Sequence, residues 1–491
     1  VDALFALAPA DARPTYQSVF FDEKLGATVV TGLQFTEEDG GAITIEKAEL
    51  YGVDVDAIQR INAAEPAVDA PFETVFEKVR LFGINPEGAD DDIDITIEAL
   101  ELDKLRIRQG GVDETQDSPA FFFNTFELGG FFIKNVSMTG GAEGSTIDGR
   151  IPDLRISGLG GGKMGALVVK DVAYDVNQSD EAQRSLASLM GPQGALIMDS
   201  PLRNFIAPGA QRASIKSVVW RGLDMSGLMK ASLSGEKPSF TAKNLVKLGA
   251  VEIEGAQSYV DGKLASSSKK TTVTSNDSTW IVPTKLRAES TGDFYDFSAY
   301  VPDGEEALLQ IVKDNGLDNV KASSQTAWDW DAEGGDVALS TTWDTQGFAD
   351  VSFDVNLNGI EIDKIAAAAE SGDNSAIERI AVFDSFSMKI ADDKMLDAIF
   401  AIAGLQMNSS ASDLRESAPA MIRLGGAAYA GVNPRFSDYI DAFAAFIADG
   451  GTLEVTANPS SPVPLAAIAE TSETAPQDLP DIIDLKITHS K

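Results

Sequence analysis

Ala48–Ile58 reads AELYGVDVDAI, and the same phrase returns as VVWRGLDMSGL at Val218–Leu228 and as VNLNGIEIDKI at Val355–Ile365. The third place is large and apolar each time (Leu50, Trp220, Leu357), and the fifth is glycine (Gly52, Gly222, Gly359). The sixth, eighth and eleventh places are apolar again: Val53, Val55 and Ile58; Leu223, Met225 and Leu228; Ile360, Ile362 and Ile365. The pattern reads as a strand, a glycine bend, a short second stretch of period two, and the start of a helix or loop. Looser copies run through Leu81–Gly83–Ile84 and Ile156–Gly158–Leu159. A strand–bend–strand phrase used repeatedly predicts long antiparallel sheets curved by glycine bends.

Working outward, residues 1–300 read as β-rich. Ala27–Phe35, Ala42–Leu50, Ile93–Ile107, Phe121–Met138, Ala166–Tyr174, Ser214–Trp220 and Phe240–Gly255 are strand candidates, with the clean alternation of Ile93–Ile97 implying one buried and one wet face. Val55–Ala64, Pro71–Lys78 and Ser179–Met190 are expected as helices, the last opened by Ser179. Gly158–Gly162 is a bend without the following helix of a phosphate loop, and Ser266–Ser278 is either a loop or a pair of edge strands. A boundary is expected at Val301–Asp303. Residues 301–491 then carry a helix over Glu305–Asn315, a meander (Ser323–Asp331, Asp336–Thr345, Ala349–Leu357), and helices over Asp392–Leu405, Ala411–Leu424 and Asn433–Ala448. A strand at Thr452–Ala457, a polar, mobile stretch over 470–480 and an edge strand at Ile482–Ile487 close the chain. The class is α+β.

Charge excludes more than it assigns. With 39 basic against 76 acidic residues the net charge is −37, which repels phosphate backbones, so no nucleic-acid partner is expected. There is no cysteine, hence no disulfide or thiolate chemistry. A start at Val1 suits removal of a signal peptide, and no 18 apolar residues run together, so an exported protein without a transmembrane segment is expected.

The chemistry-bearing residues point to no cofactor, metal or catalytic device. His489 is the single histidine and is expected to be a solvent-exposed tail residue. Asp329–Gly334 matches the first half of a calcium loop, but the twelfth place is Ser340, and a hairpin turn explains it better. Asp90–Asp92 and Asp94 read as solvated charge. A glycosidase would need a carboxylate pair that the sequence does not single out, and Trp280, Trp328, Trp330 and Trp343 read as packing residues.

In residues 303–491, the order of helix, meander, glycine phrase, paired helices and the closing TLEVTANPSSPVPL (Thr452–Leu465) resembles exported proteins of alphaproteobacteria. The repeated glycine phrase is similar to AsmA-like and YdgA-like envelope proteins. That resemblance implies sheets curled into lipid-accommodating grooves and carries over no catalytic motif. The six phenylalanines between Phe121 and Phe132 fit either a two-sided core or the wall of such a groove. The expected function is a non-enzymatic lipid or hydrophobic-ligand carrier of the periplasm or extracellular space, with Val53, Val55, Leu223, Met225, Ile360 and Ile362 as candidate lining. The alternative is a self-assembling structural protein, a fibre or surface-layer subunit, joined through edge strands at Ala27–Phe35 or Ile482–Ile487.

Overall fold

The computed structural model describes residues 1–7, 13–36, 41–87, 93–111, 119–141, 144–188, 203–206, 208–275, 277–371 and 376–491. The expected acidic run at Asp90–Asp92 lies outside them. The chain forms two compact units: Val1–Leu186, Gly209–Ser239 and Asn244–Ala256 in the first, and Ala187–Pro208, Phe240–Lys243 and Gln257–Lys491 in the second. The composition change near residue 301 therefore falls inside the second unit. The class is α+β, built on antiparallel strands with more helix toward the C-terminus.

In the first unit successive strands pair antiparallel with their sequence neighbours: β1 (Ser18–Asp22), β2 (Ala27–Thr36), β3 (Ala42–Tyr51), β4 (Phe72–Glu87), β5 (Ile93–Arg108), β6 (Phe126–Gly140), β7 (Thr146–Gly160), β8 (Lys163–Asn177) and β9 (Ala210–Asp224). β10 (Gly249–Val260) pairs with β9. α1 (Asp2–Phe5) and α2 (Val55–Ala63) bring Leu4, Phe5, Ile58 and Ile61 onto β2–β4 and close a hydrophobic core there. α2 starts where Asp54 caps it, the carboxylate accepting from Ala57 N at 2.8 Å. α3 (Pro119–Thr125), α4 (Asp180–Ser188) and α5 (Ser226–Ser234) complete the helices used below.

The second unit is a ladder of β11 (Lys263–Ser275), β12 (Lys285–Tyr295), β13 (Val320–Trp330), β14 (Val337–Gln346), β15 (Ala349–Asn358), β16 (Val382–Asp392), β17 (Gly451–Ala457) and β18 (Leu485–Ser490). α6 (Glu306–Asp314), α7 (Ile362–Ser371), α8 (Met395–Met407), α9 (Ala411–Ala430), α10 (Arg435–Asp449) and α11 (Leu465–Thr474) accompany it. Leu396 of α8 and Phe446 of α10 pack on Leu453, Ile390 and Ile487, sealing that part of the sheet.

Several expectations need correction. Pro71–Lys78 is the start of β4, not a helix. Phe72, Val75, Phe76 and Val79 have helical spacing because a register shift between Thr74 and Phe76 inserts a bulge. Phe121–Phe123 lie in α3, so the alternation argument does not reach them; the strand begins at Phe126. Residues 240–248 precede the strand expected over Phe240–Gly255, which starts at Gly249. Ser266–Ser275 belongs to β11, which is paired along β12 and is not a loop. β1 pairs outside β2, so Ala27–Phe35 is not an edge. The polar 470–480 stretch is ordered by α11 and a short 3-10 turn at Pro476–Asp478. His489 sits within β18, its Nε2 2.8 Å from Gly450 O and its ring against Phe446. The hairpin preferred for Asp329–Gly334 is, by contrast, borne out: it joins β13 to β14, with Asp331 Oδ1 accepting from Glu333 N and Gly334 N at 3.1 and 3.0 Å.

Candidate functional site

Two lines of bends cross the first unit's strands. One passes through Gly32, Glu46, Gly83, Glu98, Asn135, Pro152, Asp171 and Lys216, which fall opposite one another in the register of β2 to β9. The other passes through Gly52, Glu77, Lys104, Gly129, Gly158, Gly165 and Gly222. Each strand from β4 to β9 crosses both lines six positions apart: Glu77 and Gly83, Glu98 and Lys104, Gly129 and Asn135, Pro152 and Gly158, Gly165 and Asp171, Lys216 and Gly222. In every one of these strands the residue at the second line reached has positive φ: Gly83 63°, Lys104 50°, Asn135 48°, Gly158 62°, Asp171 53° and Gly222 78°.

A left-handed residue turns the peptide plane and offsets the alternation of side chains by one. The partner strand follows, because the pairing stays in register. Apolar residues two apart between the lines are therefore three apart across them, on one face. Ile45 and Ala48, Leu50 and Val53, Phe76 and Val79, Leu81 and Ile84 all contribute to one hydrophobic core.

The result is a set of apolar rows running across the strands. One is Ala48, Leu81, Leu100, Ile133, Leu154, Val169 and Val218; the next is Leu50, Val79, Leu102, Phe131, Ile156, Leu167 and Trp220. A third is Phe76, Leu105, Leu128, Leu159, Met164 and Leu223. At roughly 4.8 Å per strand, β3 to β9 span about 29 Å. Between the first two rows the intervening positions are charged on β3, β4, β5 and β7 and apolar on β6, β8 and β9 (Phe132, Val168, Val219): Glu101 takes Arg80 at 2.6 Å and Lys78 at 3.0 Å, and Arg155 lies 4.6 Å over the Phe132 ring. Glu49 is buried; burial pushes its pKa up, but Lys47 at 2.9 Å and Tyr51 at 2.8 Å hold it below the usual range.

Cover over the first two rows is uneven. At β3 and β4, Ala48, Leu50 and Val79 are buried, and an apolar cavity of about 150 Å³ remains beside Leu4 and Phe5. From β5 to β9 the members of both rows are only half-buried.

The third row ends in a larger cavity, about 480 Å³, lined by Phe123, Phe126, Leu159, Met164, Leu223, Met225, Leu228 and Met229, with Lys163 and Ser232 the polar side chains. Its helices are firmly placed. Arg108 donates to Asn124 O at 2.8 Å and Ala70 O at 2.7 Å, fixing the end of α3. Met225 N donates to Gly162 O at 2.7 Å, and Asp224 Oδ1 accepts from Ser226 N at 2.9 Å, fixing the start of α5. Gly162 is needed there, since a Cβ would sit 3.0 Å from Ser226 backbone.

The six residues proposed from sequence part company. Leu223 and Met225 line this cavity together. Val53 packs on the β2–β4 core, and Val55, at the start of α2, is exposed. Ile360 and Ile362 lie in the second unit, in a cluster with Trp330, Ala332 and Val337, where Ile360 O accepts from Trp330 Nε1 at 2.9 Å. Sequence reasoning missed the rows of β5–β8, whose signal is the three-residue apolar step (Leu102 to Leu105, Phe131 to Leu128).

Among the described residues no helix is long and apolar enough to cross a membrane. A family model described as an uncharacterized protein matches residues 342–490, within the second unit. Among curated proteins none matches the chain.

Proposed function

We propose that this protein is an exported, non-enzymatic carrier of lipids or other apolar ligands in a bacterial cell envelope. The observation that carries the reading is the set of apolar rows: the first two are half-buried over β5–β9, and the third, buried at Leu128 and Met164, runs into the 480 Å³ cavity. Half-buried apolar rows of this length favour an apolar ligand, which gains roughly 25 cal/mol per Å² of apolar surface removed from water. The cysteine-free composition and the resemblance of the glycine phrase to AsmA-like and YdgA-like envelope proteins support the same reading.

The test is native mass spectrometry of protein from its own source, with organic extraction of bound material. A lipid at fixed stoichiometry, lost in Ile156→Asp while the fold is retained, is the expected result. Protein that never carries lipid, or carries it unchanged in that variant, overturns the reading.

A second reading, self-assembly, rests on β1, where Val19, Phe20 and Phe21 are exposed on a strand that pairs with β2. Ordered multimers that Phe21→Lys dissolves would favour it over the carrier.

A further inference from the structure

A second cavity, about 370 Å³, adjoins the apolar one and shares Leu159, Gly160 and Lys163 with it. Its charged side chains are Lys104, Arg106, Lys163 and Glu127. Arg106 is paired with Glu127, which leaves the ammonium groups of Lys104 and Lys163, the second of them ion-paired with Asp224 beside the cavity. Lys163 meets Asp224 only at 3.3 Å and stays largely exposed, and Asp224 is also held by Ser226 N and Oγ at 2.9 and 2.6 Å. Lys104 has no ion pair among the described residues. A cationic pocket opening onto an apolar cavity is unexpected in a chain with net charge −37.

The backbone supplies an independent sign. Lys104 has φ +50° on the line where Gly52, Gly158 and Gly222 take the same conformation. Glycine adopts it without penalty, whereas a lysine does so only at a cost. Strain of that kind, kept where glycine is the local solution, marks a side chain held for its chemistry.

We infer that the paired cavities take a single-chain amphiphile with an anionic head, the chain among Phe126, Met164, Leu223 and Met229 and the head between Lys104 and Lys163. The inference rests on the apolar-ligand reading above and adds the ligand's charge. Met164, Met225 and Met229 give the chain end a lining that adapts to differing lengths. Carboxylate, phosphate and sulfate heads share the chemistry that two ammonium groups recognise.

The experiment is calorimetric titration of the full chain with dodecyl phosphate, dodecyltrimethylammonium and inorganic phosphate, each amphiphile kept below its micellar concentration. Dodecyl phosphate should bind about tenfold or more tighter than the cationic analogue, as two charge-assisted contacts allow, and inorganic phosphate far more weakly. Lys104→Gly and Lys163→Ala should each weaken dodecyl phosphate about fivefold and leave the cationic analogue unchanged. Lys104→Gly should not lower the Tm, because it relieves the backbone, so its effect on binding is not a folding artefact. Equal binding of the two amphiphiles, insensitive to both substitutions, would overturn the anionic-head inference while the apolar-carrier reading stands. Inorganic phosphate binding as tightly as dodecyl phosphate would overturn the role of the chain. No binding of either amphiphile would overturn both.

Discussion

Two regions of paired strands in this protein carry apolar rows and differ in what lies over them. In the second unit, Val351, Ile390, Leu453 and His489 align across β15 to β18, and Phe446 and Leu396 press onto Leu453, which is buried, with Ile390 and Ile487 partly buried beside it. In the first unit the longer rows are buried only under α1 and α2 at β3–β4, and the β5–β9 members remain half-buried. Strand pattern alone thus separates the two faces of a sheet but does not tell a core from a binding wall; the covering element does.

Truncation should reveal the contrast most strongly. Phe446→Ala, in the sealed region, should cost about 3–5 kcal/mol of stability, whereas Leu167→Ala, on a half-buried row, should cost under about 1.5. Urea unfolding of each variant measures this, and equal losses would erase the distinction between covered and open rows.

Two glycines with positive φ come next. A Cβ on Gly249, which has φ +73°, would stand 2.0 Å from Arg221 O and 2.8 Å from Gly222 C. Gly249→Ala should therefore lose about 2–4 kcal/mol from backbone strain and overlap. Gly161 has φ +58° with nothing near its Cβ position, so Gly161→Ala should lose only about 1–2 kcal/mol. Similar losses at the two sites would mean that close strand approach is not what Gly249 provides.

Much of this is legible in the sequence. The third and sixth places of the repeated phrase, Leu50 with Val53 and Trp220 with Leu223, already hold the three-residue step, and Gly52 and Gly222 mark their bends. The looser copies at Gly83 and Gly158 mark two more, whereas the bends at Lys104, Asn135 and Asp171 are hidden because those residues occupy left-handed places without being glycine. Asn and Asp tolerate that conformation through their short polar side chains. Bulged spacing in Phe72–Val79 imitated a helix, and the α3 phenylalanines imitated a strand. The cavity is half legible: Leu223 and Met225 stand among the candidate lining and Phe126 among the candidate groove-wall phenylalanines, whereas Leu159 and Met164 reach it only through long-range register.

A smaller test concerns position 171. Asp171→Gly should be neutral or stabilising by up to about 1 kcal/mol, because glycine takes φ +53° freely, while Asp171→Val should destabilise. Equal effects of the two would remove Asp171 from the bend line.

The smallest effect is expected at the cover itself. Arg60 of α2 bonds Glu73 of β4 at 3.1 and 2.9 Å, and with Gln109 it lowers the Glu73 pKa to about 2. A lowered carboxylate pKa stabilises the fold above its unfolded value and loses that contribution as pH falls. Stability from this pair should therefore fade between about pH 4.5 and 2, and Glu73→Gln should flatten that limb by at most about 1 kcal/mol. An unchanged acid limb would mean the pair does not help to hold α2.

The most direct measurement is photo-crosslinking with a diazirine-bearing acyl chain, followed by peptide mapping. Labels are expected on the β5–β9 rows and the cavity beyond them, at residues such as Leu102, Phe131, Ile156, Leu167, Met164 and Leu223. Labels confined to the second unit, or spread over the charged positions at Arg80, Glu101 and Arg155, would contradict it.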